Sequence, residues 1–116
     1  MKYEGSCHCG SVKFKFTGEE IIKGLRCNCS ICNRKGALMS PYTISAKDIE
    51  ICVSNDALKT YEFGSGVAKH QFCKHCGIYT FHQTFRKVGY YRVNLGCIPE
   101  LHSLELPYDV FDGAAL

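Results

Sequence analysis

A chain of 116 residues, 46% hydrophobic and 22% charged, has the length for one core and the balance of an ordinary globular protein, so a single domain over residues 1–116 is expected and extended disorder is not. No run of about 18 apolar residues occurs, and the opening MKYEGSCHCG lacks an apolar leader, which argues against a membrane partner and for a soluble, reducing, cytoplasmic setting. The formal charge of +3 is small, and Arg26, Arg34, Lys35, Lys69 and Lys74 stand beside cysteines whose thiolates they would offset, so no basic stripe is left to suggest a nucleic-acid partner.

The segment SVKFKFT at 11–17 alternates Val12, Phe14 and Phe16 with Lys13 and Lys15, the pattern of a half-buried strand. A helical piece of a turn or two is predicted over 30–35, opened by Ser30 as a capping residue and closed by Gly36. Further strands are predicted near 38–43, 49–53, 58–63, 67–72, 79–83 and 90–94, divided by turn signals such as Ser54-Asn55-Asp56 and Gly64-Ser65-Gly66. The spacing is that of a mainly β protein of short antiparallel strands. No repeat or heptad is present, and the tail over 107–116 carries Tyr108 and Phe111 with little pattern, so it either docks on the core or frays.

Nine cysteines in such a compartment point to metal rather than disulfides. Seven of them form three groups: Cys7 and Cys9; Cys27, Cys29 and Cys32; Cys73 and Cys76. Alternate residues of a regular strand stand about 6 to 7 Å apart, too far to share an ion that holds sulfur at about 2.3 Å. Each C-x-C must therefore lie in a tight turn, which Gly10 would permit after the first. Cys73 and Cys76 followed by Gly77 have the form of a zinc knuckle, whose turn aims backbone amides at the sulfurs. On the short helix, Cys29 and Cys32 share a face, with Cys27 reaching in from the preceding turn.

A structural zinc takes four protein ligands, whereas a catalytic one keeps a position open. Pairing Cys7 and Cys9 with Cys73 and Cys76 closes one site and leaves Cys27, Cys29 and Cys32 as an open triplet. The competing assignment joins Cys29 and Cys32 to Cys73 and Cys76 as a zinc ribbon and leaves Cys7, Cys9 and Cys27 over. The first is preferred because its remainder is local.

The three-part signature, with Gly10, Phe72 and Gly77 also in place, resembles the glutathione-dependent formaldehyde-activating enzyme family, which includes centromere protein V; the likeness runs from about residue 3 to 95. The resemblance implies an Mss4-like β-tent stapled by zinc, with Cys7, Cys9, Cys73 and Cys76 as the structural site. It further implies that Cys27, Cys29 and Cys32 form the site where zinc assists glutathione chemistry. The activity it suggests is a carbon–sulfur lyase of the S-(hydroxymethyl)glutathione synthase type, with a small thiol such as glutathione as partner. A three-thiolate zinc is electron-rich, which favours capture of the substrate thiolate over activation of the aldehyde. Arg26, Arg34 and Lys35, beside the triplet, are the candidates for binding the carboxylates of glutathione. The alternative is a non-catalytic zinc-binding interaction module. Cys52 and Cys97 read as packing residues, His8 and His75 as surface or supporting groups, His82 as a structural residue that can face either site, and His70 and His102 as surface residues.

Overall fold

The computed structural model describes residues 1–84 and 87–115. The alternating segment forms β2 (Val12–Thr17), with its three apolar side chains buried and both lysines exposed. It is the middle of a three-stranded antiparallel sheet between β1 (Lys2–Ser6) and β5 (Ile49–Val53). A second antiparallel sheet runs β4-β9-β8-β7-β6, built from β4 (Ile44–Ser45), β6 (Leu58–Tyr61), β7 (Lys69–Cys73), β8 (Tyr79–Gln83) and β9 (Tyr90–Val93). Between the sheets Phe14 meets Phe81 edge to face at 6.0 Å, with Val12, Ile44, Val93, Leu95 and Ile98 buried around them. Burying side chains of this size contributes about 1.5 to 3 kcal/mol each, the main favourable term for a core of short strands.

Three parts of the backbone depart from the expectation. The predicted strand over 38–43 forms no ladder: Met39 makes isolated bridges to Leu25 and Asn94, and Pro41, which has no N–H to donate, interrupts further pairing. Two strands without a clear alternating pattern, β3 (Gly24–Cys27) and β10 (Tyr108–Phe111), pair in parallel, so the tail docks and the fold is not wholly antiparallel. The helix α1 (Ser30–Lys35) has the expected bounds and ends on Gly36 at φ 66°, yet its N-cap is Cys29, with no side-chain cap hydrogen bond; Ser30 is already inside the helix. Extended at φ −65° and ψ 166°, Cys29 turns its side chain toward the other cysteines instead.

One irregularity positions the site. Across β7 and β8, Gln71 faces Phe81 but Phe72 faces Tyr79, leaving Thr80 as an extra residue in a β-bulge. In an even strand residues three apart point to opposite faces. The bulge puts Tyr79 and His82 on one face, across from Phe72 and His70.

Candidate metal centres and the adjoining cleft

Cys7 and Cys9 lie in the turn that joins β1 to β2. Gly10 takes φ 83° and its N–H donates to the Cys7 carbonyl, a left-handed turn that glycine adopts without strain. β7 ends at Cys73, and the next turn closes with Gly77 at φ 78° and the Gly77 N–H on the Cys73 carbonyl at 2.7 Å. The two turns meet, and all four sulfurs lie within 4.8 Å of one another. The sulfur of Cys9 is 3.7 Å from that of Cys7 and 3.6 Å from that of Cys73. A tetrahedron with bonds of about 2.3 Å has edges of about 3.8 Å, so the donor set fits zinc in both chemistry and spacing. The ribbon assignment is overturned, because Cys29 and Cys32 belong to a separate group.

Backbone amides support these sulfurs as expected of a knuckle. The Val12 N–H donates to the Cys7 sulfur at 3.3 Å. Burial raises the pKa of the Cys76 thiol, but the amides of Cys9 and Ile78 outweigh it and bring the value down to about 6. Burial pushes its neighbour Cys73 up to about 11. A cation at this cluster would stabilise every thiolate at once.

The second group is Cys27 at the end of β3, Cys29 at the N-cap and Cys32 in α1, their sulfurs within 4.8 Å, and among the described residues no fourth metal-binding side chain joins them. The tail fastens this corner. The Asn28 N–H donates to the Phe111 carbonyl, its side-chain amide donates to Asp112 at 2.9 Å, and its side-chain oxygen accepts from the Ala114 N–H at 2.9 Å. Gly113 packs so closely that a Cβ there would collide with the Cys27 sulfur. For Cys29, burial raises the pKa, while hydrogen bonds from the Cys32 amide and the Cys32 and Cys27 thiols, with the Ile31 amide, turn the net shift downward. Burial pushes Cys32 up to about 12, and the nearby Lys35 ammonium works against that.

Beside α1 lies a cleft of about 830 Å³ whose lining includes Arg26, Arg34 and Lys35, and none of the three cysteines. Arg26 donates to the Gly36 carbonyl at 2.8 Å and lies over the Tyr108 ring at 5.0 Å, and Arg34 donates to the Ser30 carbonyl at 2.9 Å. Lys35 turns inward, its ammonium 3.9 Å from the Tyr79 ring centroid and 3.4 Å from His82 Nδ1. Among the described residues none of these three cations is ion-paired with a carboxylate. Burial lowers the pKa of Lys35, opposed by Cys32, Cys29 and Cys27.

The Tyr79 hydroxyl stands between two histidines, 2.7 Å from His70 Nδ1 and 2.8 Å from His82 Nδ1. His70 is 5% exposed, so it is not the surface residue expected, and its imidazole stacks on Phe63. His82 faces the triplet side through Lys35. Sequence reasoning missed this cluster because the three residues share a face only through the bulge. Cys97 is buried as expected, Cys52 is exposed rather than packed, and His8, His75 and His102 are at the surface.

A family model described as the glutathione-dependent formaldehyde-activating enzyme matches residues 2–113. A Halomonas elongata protein, provisionally named a glutathione-dependent formaldehyde-activating enzyme, is 34% identical over 83 residues, which cover 66% of this chain and 52% of that relative. The chain thus spans about half the length of the curated relative it matches. The crystal structure of a Rhodobacter sphaeroides protein aligns at 34% identity with a TM-score of 0.76, covering 91% of this chain and 99% of that one. The match over nearly the full length, together with a mainly β fold of short strands consistent with an Mss4-like fold, shows that this chain belongs to the glutathione-dependent formaldehyde-activating enzyme family.

Proposed function

We propose that residues 1–116 form a single-domain, zinc-dependent carbon–sulfur lyase of the S-(hydroxymethyl)glutathione synthase type, acting in the cytoplasm on the adduct of formaldehyde with glutathione or a similar small thiol. The observation that carries the reading is the geometry of Cys27, Cys29 and Cys32, three sulfurs within 4.8 Å with no fourth ligand in their group among the described residues. An ion held so keeps a position for a substrate atom, unlike the four-cysteine site.

When bound at the triplet, zinc would lower the pKa of the incoming thiol and favour its thiolate. The addition is redox-neutral: the thiol gives up its proton, sulfur bonds to the aldehyde carbon, and the carbonyl oxygen, now carrying the π pair, takes a proton. Arg26 and Arg34 each spend an N–H on a backbone carbonyl and have further donors for the carboxylates of glutathione. Ile31, Leu38 and Phe72 supply apolar lining that displaces water from the cleft. Family membership and the name of the Halomonas relative support the same chemistry.

Exchange between glutathione with formaldehyde and their adduct, followed by NMR, tests the reading. The zinc-loaded chain should speed exchange at least about a hundredfold, the usual scale for one positioned catalytic group. Cys29→Ser should lose that acceleration and stay folded. No acceleration by the wild type would end the proposal, and a Cys29→Ser chain that unfolds would make the triplet structural.

One observation favours the non-catalytic zinc module instead. Tyr61, Ile78, Leu104 and Tyr108 line the same cleft and are exposed, Leu104 completely, as on a protein-binding surface. That reading expects no rate acceleration at all.

A further inference from the structure

Lys35 lines the cleft and, three residues after Cys32 in α1, shares a helix face with that cysteine of the triplet. Its surroundings set the direction of every proton in the cluster behind it. An ammonium has donors only, so His82 Nδ1, 3.4 Å away, is an acceptor. The Tyr79 O–H then donates to that same nitrogen at 2.8 Å, and its oxygen accepts from His70 Nδ1–H at 2.7 Å. The opposite order would aim an imidazole N–H at the ammonium.

His82, accepting at Nδ1, is therefore neutral, and burial, which lowers the His70 pKa to about 4, keeps that imidazole neutral near pH 7. The cluster holds Lys35 by an aromatic face and a lone pair, and cancels none of its charge. No carboxylate among the described residues pairs with it either. Among the described residues, the anionic groups that act on it are the thiolates of the triplet, Cys32 first.

We propose that Lys35 is the built-in counter-charge of the three-cysteine site, with Tyr79 and His82 as the residues that position it, and that this charge makes the open coordination position selective for an anionic sulfur ligand. The inference rests on the reading of the triplet as a zinc site. Three thiolates around a divalent ion leave one net negative charge, which repels a fourth thiolate. A fixed ammonium one helical turn from Cys32 offsets that charge inside a partly buried site, where screening by water is weak. The same placement removes Lys35 from the residues free to clamp a carboxylate of the substrate and leaves that task to Arg26 and Arg34.

The test uses the full chain loaded with zinc, or with cobalt(II) as a spectroscopic substitute. It compares wild type, Lys35→Met, Lys35→Arg and Tyr79→Phe. Chelator competition reads the affinity of each site, and glutathione titration of the cobalt d–d bands reads entry of a fourth sulfur. Lys35→Met should release the triplet metal at about tenfold lower chelator and need about tenfold more glutathione for the band shift, the scale of one lost charge contact. The four-cysteine metal should be unchanged. Lys35→Arg should restore both properties, and Tyr79→Phe should shift both the same way by less. Wild-type behaviour of Lys35→Met, or equal weakening of both metals, would overturn the inference. A wild-type chain that binds one metal only is a different result: it removes the zinc reading of the triplet itself, and this inference with it.

Discussion

The two cysteine groups use similar local parts to opposite ends. Cys9, in the turn between β1 and β2, and Cys73, at the end of β7 in the other sheet, are 64 residues apart, so an ion among them would cross-link the fold. Cys27, Cys29 and Cys32 span one strand end and one helical turn, and the tail rather than the metal ties that corner to the rest. Ligand number follows from this difference. A site fed by two distant turns receives two sulfurs from each and closes, whereas a local site receives what one short segment can aim inward and remains one ligand short.

The sharpest way to break the comparison is to remove one ligand from the cross-linking site. Cys73→Ser should cost stability on the scale of a whole domain, since structural zinc contributes about 10 to 16 kcal/mol in small peptides. Circular dichroism at room temperature should show an unfolded chain, while Cys29→Ser melts cooperatively near the wild type. Equal loss in the two variants would erase the distinction between the sites.

A smaller effect concerns the polar cluster behind the triplet. Burial, aided by the Lys35 charge, lowers the His70 pKa from 6.5 to about 4, and His82 is lowered in the same direction for the same first reason. In the unfolded chain His70 takes a proton below about 6.5, and in the folded one it resists until about 4, so between these values the unfolded state binds more protons. Stability is therefore full above about 6.5 and falls as pH drops toward 4, by at most about 3 kcal/mol from His70. The groups that face it are Tyr79 and His82 on β8 and Lys35 on α1. Denaturant titrations at pH 7 and pH 5 should show a shallower decline for His70→Asn, which keeps a donor toward Tyr79 without the titration. An unchanged slope would mean that His70 does not remain neutral in the folded protein.

The smallest expected effect is also the most local. Gly113→Ala would press a methyl group against the Cys27 sulfur, and overpacking of this kind costs about 1 to 3 kcal/mol. The triplet metal should be held more weakly and the four-cysteine metal as before, which chelator competition can separate. Equal retention of both would show that the tail does not support the triplet.

Much of the fold was legible where the chain obeys its local period. The helix over 30–35 and the strands over 49–53 and 79–83 have the predicted bounds, because alternation and the Gly36 stop are strong short-range signals. β1, β3 and β10 were not legible. Lys2–Ser6 carries one deeply buried side chain, Tyr3, and the pairing of β3 with β10 joins residues more than 80 positions apart, with no alternation in either.

Sequence by itself set out the candidate metal chemistry, seven clustered cysteines with the glycines that let them turn and a preferred division into four and three, because thiolate count and turn geometry are local properties; the structure then excluded the ribbon pairing. Tertiary structure alone decided what surrounds the open site. The bulge at Thr80 brings Tyr79, His82 and His70 together, the tail lays Gly113 on Cys27, and Lys35 turns inward onto Tyr79 and His82. Each of these depends on a contact between distant segments, and an extra residue in one strand reverses the facing that its sequence spacing would predict.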